Sequence, residues 1–410
     1  MLGGVFVRAP RLPRSVSLLG PAFVAAVAYV DPGNVATNVT AGATFGYTLV
    51  WVVVLANAMA VIVQYLSAKL GIVTGQSLAS HMGEKLPRPA RIAYWLQAEG
   101  VAIATDVAEV VGGAVALSLL FDLPLLIGAV VTVLVSMVVL RIGDRFGQSV
   151  LERVVIGFLL LIAAGFTAGL FVAPPDAGAV ADGLVPQFDG TESLLLSSAI
   201  IGATVMPHVI YLHSGLTAGR LGVRGQRRTV AELLGATRVD VVVALLVAGT
   251  LNLALLLTAA TSLAGKEGTD TLDGVHALLT SELGAGVALL FAVALLGSGL
   301  ASTSVGCAAG AEVMHGLLRR RVPLMLRRIV TVIPALVVLA LGVEPSWALV
   351  VSQVVLSVGI PFALVPLLWL TARRSVMGEW VNRTVTTTLA AVIAGLVIAL
   401  NLALLVLTFS

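Results

Sequence analysis

Long apolar runs separated by short polar connections set the pattern of this chain. They fall at about 20–39, 47–69, 91–118, 125–140, 152–173, 196–217, 238–260, 283–316, 325–342, 346–370 and 384–408. Most approach the ~20 residues that an α-helix needs to cross a hydrocarbon core of about 30 Å. They are continuous, whereas a membrane-spanning strand alternates with a two-residue period over about ten residues. The pattern predicts an all-α integral membrane protein with eleven transmembrane helices. Two longer connections, 174–195 and 261–282, contain Gly, Pro and acidic residues and are expected as surface loops.

Composition agrees with a bilayer environment. Of 410 residues, 59% are hydrophobic and 11% charged, against about a quarter charged in soluble proteins. Mean hydropathy is +1.06. The formal excess of +3 is too small to predict a nucleic-acid partner, and its distribution reports topology instead. With a cytoplasmic N-terminus, almost every Lys and Arg falls on the inner side, from Arg8, Arg11 and Arg14 through Arg224, Arg227 and Arg228 to Arg373 and Arg374. Lys266 is the exception, while Asp176, Asp182, Asp189, Glu192, Asp270 and Glu344 fall outside. This asymmetry places the N-terminus in the cytoplasm and, after eleven crossings, the C-terminus outside the cell. Residues 1–19 lack a convincing cleavage site and are expected as a cytoplasmic tail, not a signal peptide. The single cysteine, Cys307, excludes an intramolecular disulfide or a multi-cysteine metal cluster.

Two spans are interrupted. Asp31-Pro32-Gly33-Asn34 breaks the first and Val205-Met206-Pro207-His208 the sixth. Proline removes a backbone donor, and unwound backbone at membrane depth is tolerated only around a protein-lined site. The two breaks correspond if 20–173 and 196–370 form two five-helix halves of opposite orientation, with 384–408 an additional helix. Asp31 is the leading cation ligand, because an intramembrane carboxylate is costly unless paired, solvated or coordinated. Asn34 can add an amide oxygen, and unwound turns can expose the carbonyls of Ala28 and Ala203. The thioether of Met206 suits transition ions better than Mg²⁺ or Ca²⁺. Gln353 can lend its side-chain oxygen during closure. His208 and His213 are candidate proton carriers. Glu99, Asp106 and Glu109 share one stripe of the third span, a natural hydrated route for protons or cations, and Arg327 and Arg328 can pair with them. Glu312 acquires no specific role.

Taken together, Asp31-Pro32-Gly33-Asn34, Met206-Pro207-His208 and Thr105-Asp106-Val107-Ala108-Glu109 resemble the signatures of the Nramp family, in its bacterial MntH type, over about residues 18–375. The resemblance implies a LeuT-like fold of inverted five-helix repeats plus an additional C-terminal helix. It implies a proton-coupled importer of divalent metal, Mn²⁺ first, with Fe²⁺, Co²⁺ and Cd²⁺ compatible with the same ligands. It also implies metal contacts from Asp31, Asn34, Met206, the Ala28 and Ala203 carbonyls and Gln353. To the proton pathway it assigns Glu99, Asp106, Glu109, His208, Arg327 and Arg328. The expected setting is a bacterial-type cytoplasmic membrane, with metal ions, protons and lipid as partners, no cofactor, no enzymatic step and no obligate protein partner. Broken helices alone would equally serve a carrier of an organic substrate such as an amino acid. An intramembrane metalloenzyme fits less well, because the histidines do not form an HExxH arrangement.

Overall fold

The computed structural model describes residues 20–146, 148–220, 229–320 and 323–409. The tail at 1–19 and the cations Arg224, Arg227, Arg228 and Arg321 lie outside them. In chain order the helices are α1 (Pro21–Ala28), α2 (Pro32–Phe45), α3 (Val50–Thr74), α4 (Leu78–Lys85), α5 (Arg88–Phe121), α6 (Leu125–Phe146) and α7 (Gln148–Val172). Then follow α8 (Ala177–Asp182), α9 (Gly190–Thr204), α10 (Pro207–Ala218), α11 (Val230–Ser262), α12 (Leu272–Leu283) and α13 (Ala285–Leu318). The last are α14 (Leu324–Ala340), α15 (Pro345–Thr371), α16 (Arg374–Met377) and α17 (Thr384–Phe409). Among the described residues there is no strand.

Every predicted span coincides with a helix or a broken helix pair. Among the described residues, seven are long and apolar enough to cross a membrane on their own, counting α9 and α10 as one. The first span is split into α1 and α2, α6 and α7 contribute the shorter apolar stretches Leu125–Val139 and Leu160–Val172, and α14 has 17 residues. The two expected surface loops differ from expectation: they carry α8 and α12, and α9 starts at Gly190. Local caps explain the short helices. Asp176 accepts from Ala179 N, and Thr271 accepts from Gly274 N, satisfying amides that a helix start leaves open.

Helix pairing follows a two-half pattern. Helix α5 packs on α13 and α3 on α11; α2 packs on α11 as α10 does on α3, and α7 on α13 as α15 does on α5. Exchanging the halves maps each pair onto its counterpart. Close packing needs small residues in such a bundle. A Cβ at Gly112 of α5 would lie 2.0 Å from Cβ of Pro32, so this glycine seats the proline that opens α2.

Helix α14 is turned inside out relative to a water-soluble helix. Leu326, Ile329, Val330, Ile333 and Val337 are exposed along one face, while Arg327, Arg328 and Thr331 are buried on the other. Only an apolar surrounding makes that arrangement favourable, with charges kept inside the bundle and aliphatic side chains facing lipid.

Candidate metal site

The first break is built by local chemistry. At the end of α1 the amides of Tyr29, Val30 and Asp31 bond to the carbonyls of Ala26, Val27 and Ala28 at 3.1–3.2 Å, a tightened turn that stops the α-helical ladder. Asp31 then adopts extended backbone and caps α2, its Oδ1 accepting from Asn34 N at 2.8 Å, with Pro32 in the first helical turn. At the second break Met206 occupies the extended N-cap position of α10 (φ −61°, ψ 120°), followed by Pro207. Proline suits the first turn because its missing N–H would have no helical partner there.

The breaks meet across the bundle. Asn34 Nδ2 donates to Tyr29 O at 2.6 Å and to Ala203 O at 3.2 Å, joining one interruption to the other. Gln353 of α15 closes a third side, with Nε2 3.5 Å from Asp31 Oδ2 and 3.0 Å from Ser352 Oγ. Gly33 makes room for it, since a Cβ there would fall 1.7 Å from Gln353 Nε2. Asp31, Asn34, Ala203, Met206 and Gln353 have no solvent exposure, and Ala28 has 2%. Hydrogen bonds thus join Ala28, Asp31, Asn34, Ala203 and Gln353 in one buried region, and Met206 follows Ala203 by three residues at the start of α10.

Two details differ from the expected ligand set. Asn34 turns its amide nitrogen towards the breaks, while its oxygen accepts from Asn38; presenting oxygen to a cation requires rotating that amide. The Ala28 carbonyl is taken by Asp31 N at 3.2 Å, which leaves it one further lone pair. Among the described residues no three His, Cys, Asp or Glu side chains gather as a metal cluster. The available donor set is one carboxylate, two amides, a thioether and carbonyls, a mixed hard and soft set.

Beside this region runs the acidic stripe of α5. Arg328 Nη1 bonds to Asp106 Oδ1 and lies 3.3 Å from Glu109 Oε2, while its Nη2 reaches Thr303 Oγ1 of α13 at 3.3 Å. Arg327 Nη2 is 2.9 Å from Glu99 Oε1. Helix α13 accommodates both pairs with glycines: a Cβ at Gly306 would be 2.9 Å from Glu109 Oε1, and one at Gly310 would be 1.9 Å from Arg327 Cζ. Three carboxyls face two guanidiniums here. His208 links the metal region to the stripe, its Nδ1 3.3 Å from Thr105 Oγ1, next to Asp106. His213 is not brought to the stripe. Its Nδ1 lies 2.8 Å from Gln64 Oε1, and Gln64 Nε2 donates to the Tyr29 hydroxyl.

Sequence reasoning passed over several residues of this neighbourhood. Gln64, Asn252, whose Nδ2 donates to Tyr29 O at 3.0 Å, and Asn38 are each buried. Each is a polar amide within an otherwise largely apolar span, a weaker form of the signal that marks Asp31. A cavity of about 560 Å³ is lined by Thr40 and Thr44 of α2, Glu192 and Leu196 of α9, Asp270, Glu344, and Val350 of α15, about one turn before Gln353.

Paired helix breaks at the centre of an eleven-span bundle define a secondary transporter of the LeuT-like fold. The structure of MhsT in complex with L-phenylalanine shares that fold, with a TM-score of 0.61 at 16% identity over 95% of this chain and 97% of that one. The chain belongs to the Nramp family, whose model, described as natural resistance-associated macrophage protein-like, matches residues 22–407. It is 55% identical over 397 residues to the divalent metal cation transporter MntH of Mycobacterium tuberculosis, covering 97% of this chain and 93% of that protein. It is 31% identical to a crystallised manganese transporter of Eremococcus coleocola, with a TM-score of 0.85 over 97% of this chain and 88% of that one.

Proposed function

We propose that this protein imports divalent transition-metal ions, Mn²⁺ first, together with protons, by alternating access across a bacterial cytoplasmic membrane. The observation that carries the reading is the meeting of a carboxylate-bearing break and a methionine-bearing break, bridged by Asn34 and Ala203 O at 3.2 Å. The names borne by the relatives, divalent metal cation transporter and manganese transporter, support it. Residues 20–173 and 196–370 act as the two inverted halves, with 384–408 outside them, the N-terminus in the cytoplasm and the C-terminus outside.

In this reading the acidic cavity receives the hydrated ion. Asp31 supplies the charge that compensates dehydration, and Met206 supplies a soft ligand that Mg²⁺ and Ca²⁺ do not favour. Rotation of the Asn34 amide releases Ala203 O and offers the ion an oxygen in place of a donor. Gln353 Oε1, buried without a hydrogen-bond partner, becomes a ligand when that amide turns. Ala28 contributes its remaining lone pair in the state that opens inward.

Protons follow a second route. His208 and Thr105 connect the ion site to Asp106 and Glu109, and a proton reaching these carboxyls weakens their hold on Arg328. Glu99 with Arg327 continues the stripe. His213 contributes less directly, through Gln64 and Tyr29, to the turn that precedes Asp31. Neither a cofactor nor an obligate protein partner is required by this cycle.

The test is uptake into proteoliposomes across a panel of Mn²⁺, Fe²⁺, Co²⁺, Cd²⁺ and Mg²⁺ with internal pH recorded. Met206→Ala and Asp31→Asn serve as controls. Metal uptake without internal acidification would refute proton coupling alone. A preference for Mg²⁺ over Mn²⁺ would overturn the role of Met206.

A further inference from the structure

Helix α1 carries no side-chain cap of its own. Gly20 occupies its N-cap position, Pro21 begins it, and no acidic residue lies in its first turn. Its open amides are instead taken by a residue on another helix. The carboxylate of Asp240, on α11, accepts from Gly20 N at 3.2 Å to each oxygen and from Ala22 N at 3.1 Å. Asp240 is 1% exposed, and Ala22 is buried. An anion at this point completes the hydrogen bonding of the helix start and faces the positive end of its dipole.

The remainder of α1, Pro-Ala-Phe-Val-Ala-Ala-Val-Ala, offers only apolar side chains. Such contacts are non-directional and permit sliding. The bonds from Asp240 do not, since they fail once donor and acceptor part beyond about 3.5 Å. The other end of α1 is the break at residues 29–31, where the helical ladder is already interrupted. Half-helix α1 therefore has a hinge at the ion site and a directional clasp at its far end.

We propose that Asp240 is a positioning residue that holds α1 against α11 and keeps the cytoplasmic side of the ion site shut until the ion is to be released. This rests on the transport reading above, in which α1 is the cytoplasmic half of the first span. When α1 swings out, Gly20 and Ala22 exchange the carboxylate for water, and Asp240 is uncovered in the same movement. Weakening the clasp shifts the resting population towards the inward-open state without altering any metal ligand.

Two single-cysteine reporters in a Cys307→Ser background test this in nanodiscs. Ala25→Cys is buried on α1, and Thr44→Cys lines the outer cavity. Asp240→Ala is expected to raise the maleimide labelling rate at position 25 about tenfold, equivalent to about 1.4 kcal/mol, while lowering it at position 44. Asp240→Asn keeps one acceptor oxygen and gives a smaller shift in the same directions. Unchanged labelling at position 25 in both variants, each monodisperse by gel filtration, would overturn the proposal. So would a rise at both positions, which is general loosening rather than a shift in access. Mn²⁺ binding to the parent, measured by calorimetry, is a separate readout: its absence would defeat the transport reading while leaving the labelling result interpretable.

Discussion

Replacing Arg328 by methionine would strip the guanidinium that stands between Asp106 and Glu109 and leave two enclosed carboxyls facing each other. Arg328 has no exposure, Asp106 1% and Glu109 none, so water cannot take over in place. Removing one partner of a buried ion pair costs about 3–5 kcal/mol, whereas replacing the whole group by neutral residues is far cheaper. The expected outcome is a large loss for Arg328→Met alone and recovery of most of it in the triple variant Arg328→Met, Asp106→Asn, Glu109→Gln. With about 2.1 cal/mol/K of unfolding entropy per residue, the 410 residues give about 0.9 kcal/mol/K. The single substitution should then lower the melting midpoint in detergent by about 4–6 °C, and the triple by about 2 °C or less, at one fixed heating rate. Equal losses in the single and triple variants would refute the argument, because they would mean that Arg328 contributes shape rather than charge. The triple variant is further expected to transport metal with its proton coupling lost, read from internal pH.

Three further outcomes follow from other parts of the molecule. Met206→Ala should weaken Cd²⁺ binding more than Mn²⁺ binding, by about tenfold or more for Cd²⁺, and narrow the preference over Mg²⁺ and Ca²⁺ in calorimetric titrations. Gly112→Ala should cost about 1–3 kcal/mol of stability, because the new Cβ would meet the Pro32 ring at 2.0 Å; Gly100→Ala, with nothing within 4 Å, should be neutral or stabilising in the same thermal assay. His81, on α4 outside the spans, has its imidazole held below the usual 6.5 by burial, which outweighs the opposing pull of Glu84 and is aided by the smaller effect of Lys85. The fold therefore favours the neutral ring. That contribution is complete above pH 6.5 and is lost as pH falls below it towards the lowered folded value. His81→Gln should flatten the acid limb of a stability profile below that point.

The spans were legible in the sequence because a bilayer demands continuous apolar length, and the breaks because Pro32 and Pro207 stand beside polar residues in mid-span, Asp31 and Asn34 in one and His208 in the other, whereas Pro334, Pro361 and Pro366, with apolar neighbours, lie inside continuous helices. The acidic stripe was legible because Asp106 and Glu109 fall on one helical face. What stayed hidden depends on sequence separation. Asp240 reaches Gly20 across 220 residues and Asn34 reaches Ala203 across 169, and no local period announces either partner. Helices α8 and α12 were missed because their caps sit among residues that otherwise mark loops, Asp176 beside Pro174, Pro175 and Gly178, and Thr271 between Gly268 and Gly274. The direction in which the Asn34 amide points was also out of reach, since it is decided by Asn38 and Tyr29 together.

Helix α17 lies outside the paired halves and is easily taken for an appendage. Yet Asn401, buried within it, accepts from Ser198 of α9 at 3.3 Å and from Ser357 of α15 at 3.1 Å, and donates to the Ser357 carbonyl at 3.1 Å. Ser357 stands one turn from Gln353, and Ser198 about one turn before Ala203. For anyone shortening or grafting this scaffold, a ten-helix version would remove the stitch that sets the spacing between those two site residues. The last helix therefore belongs to the smallest unit worth engineering.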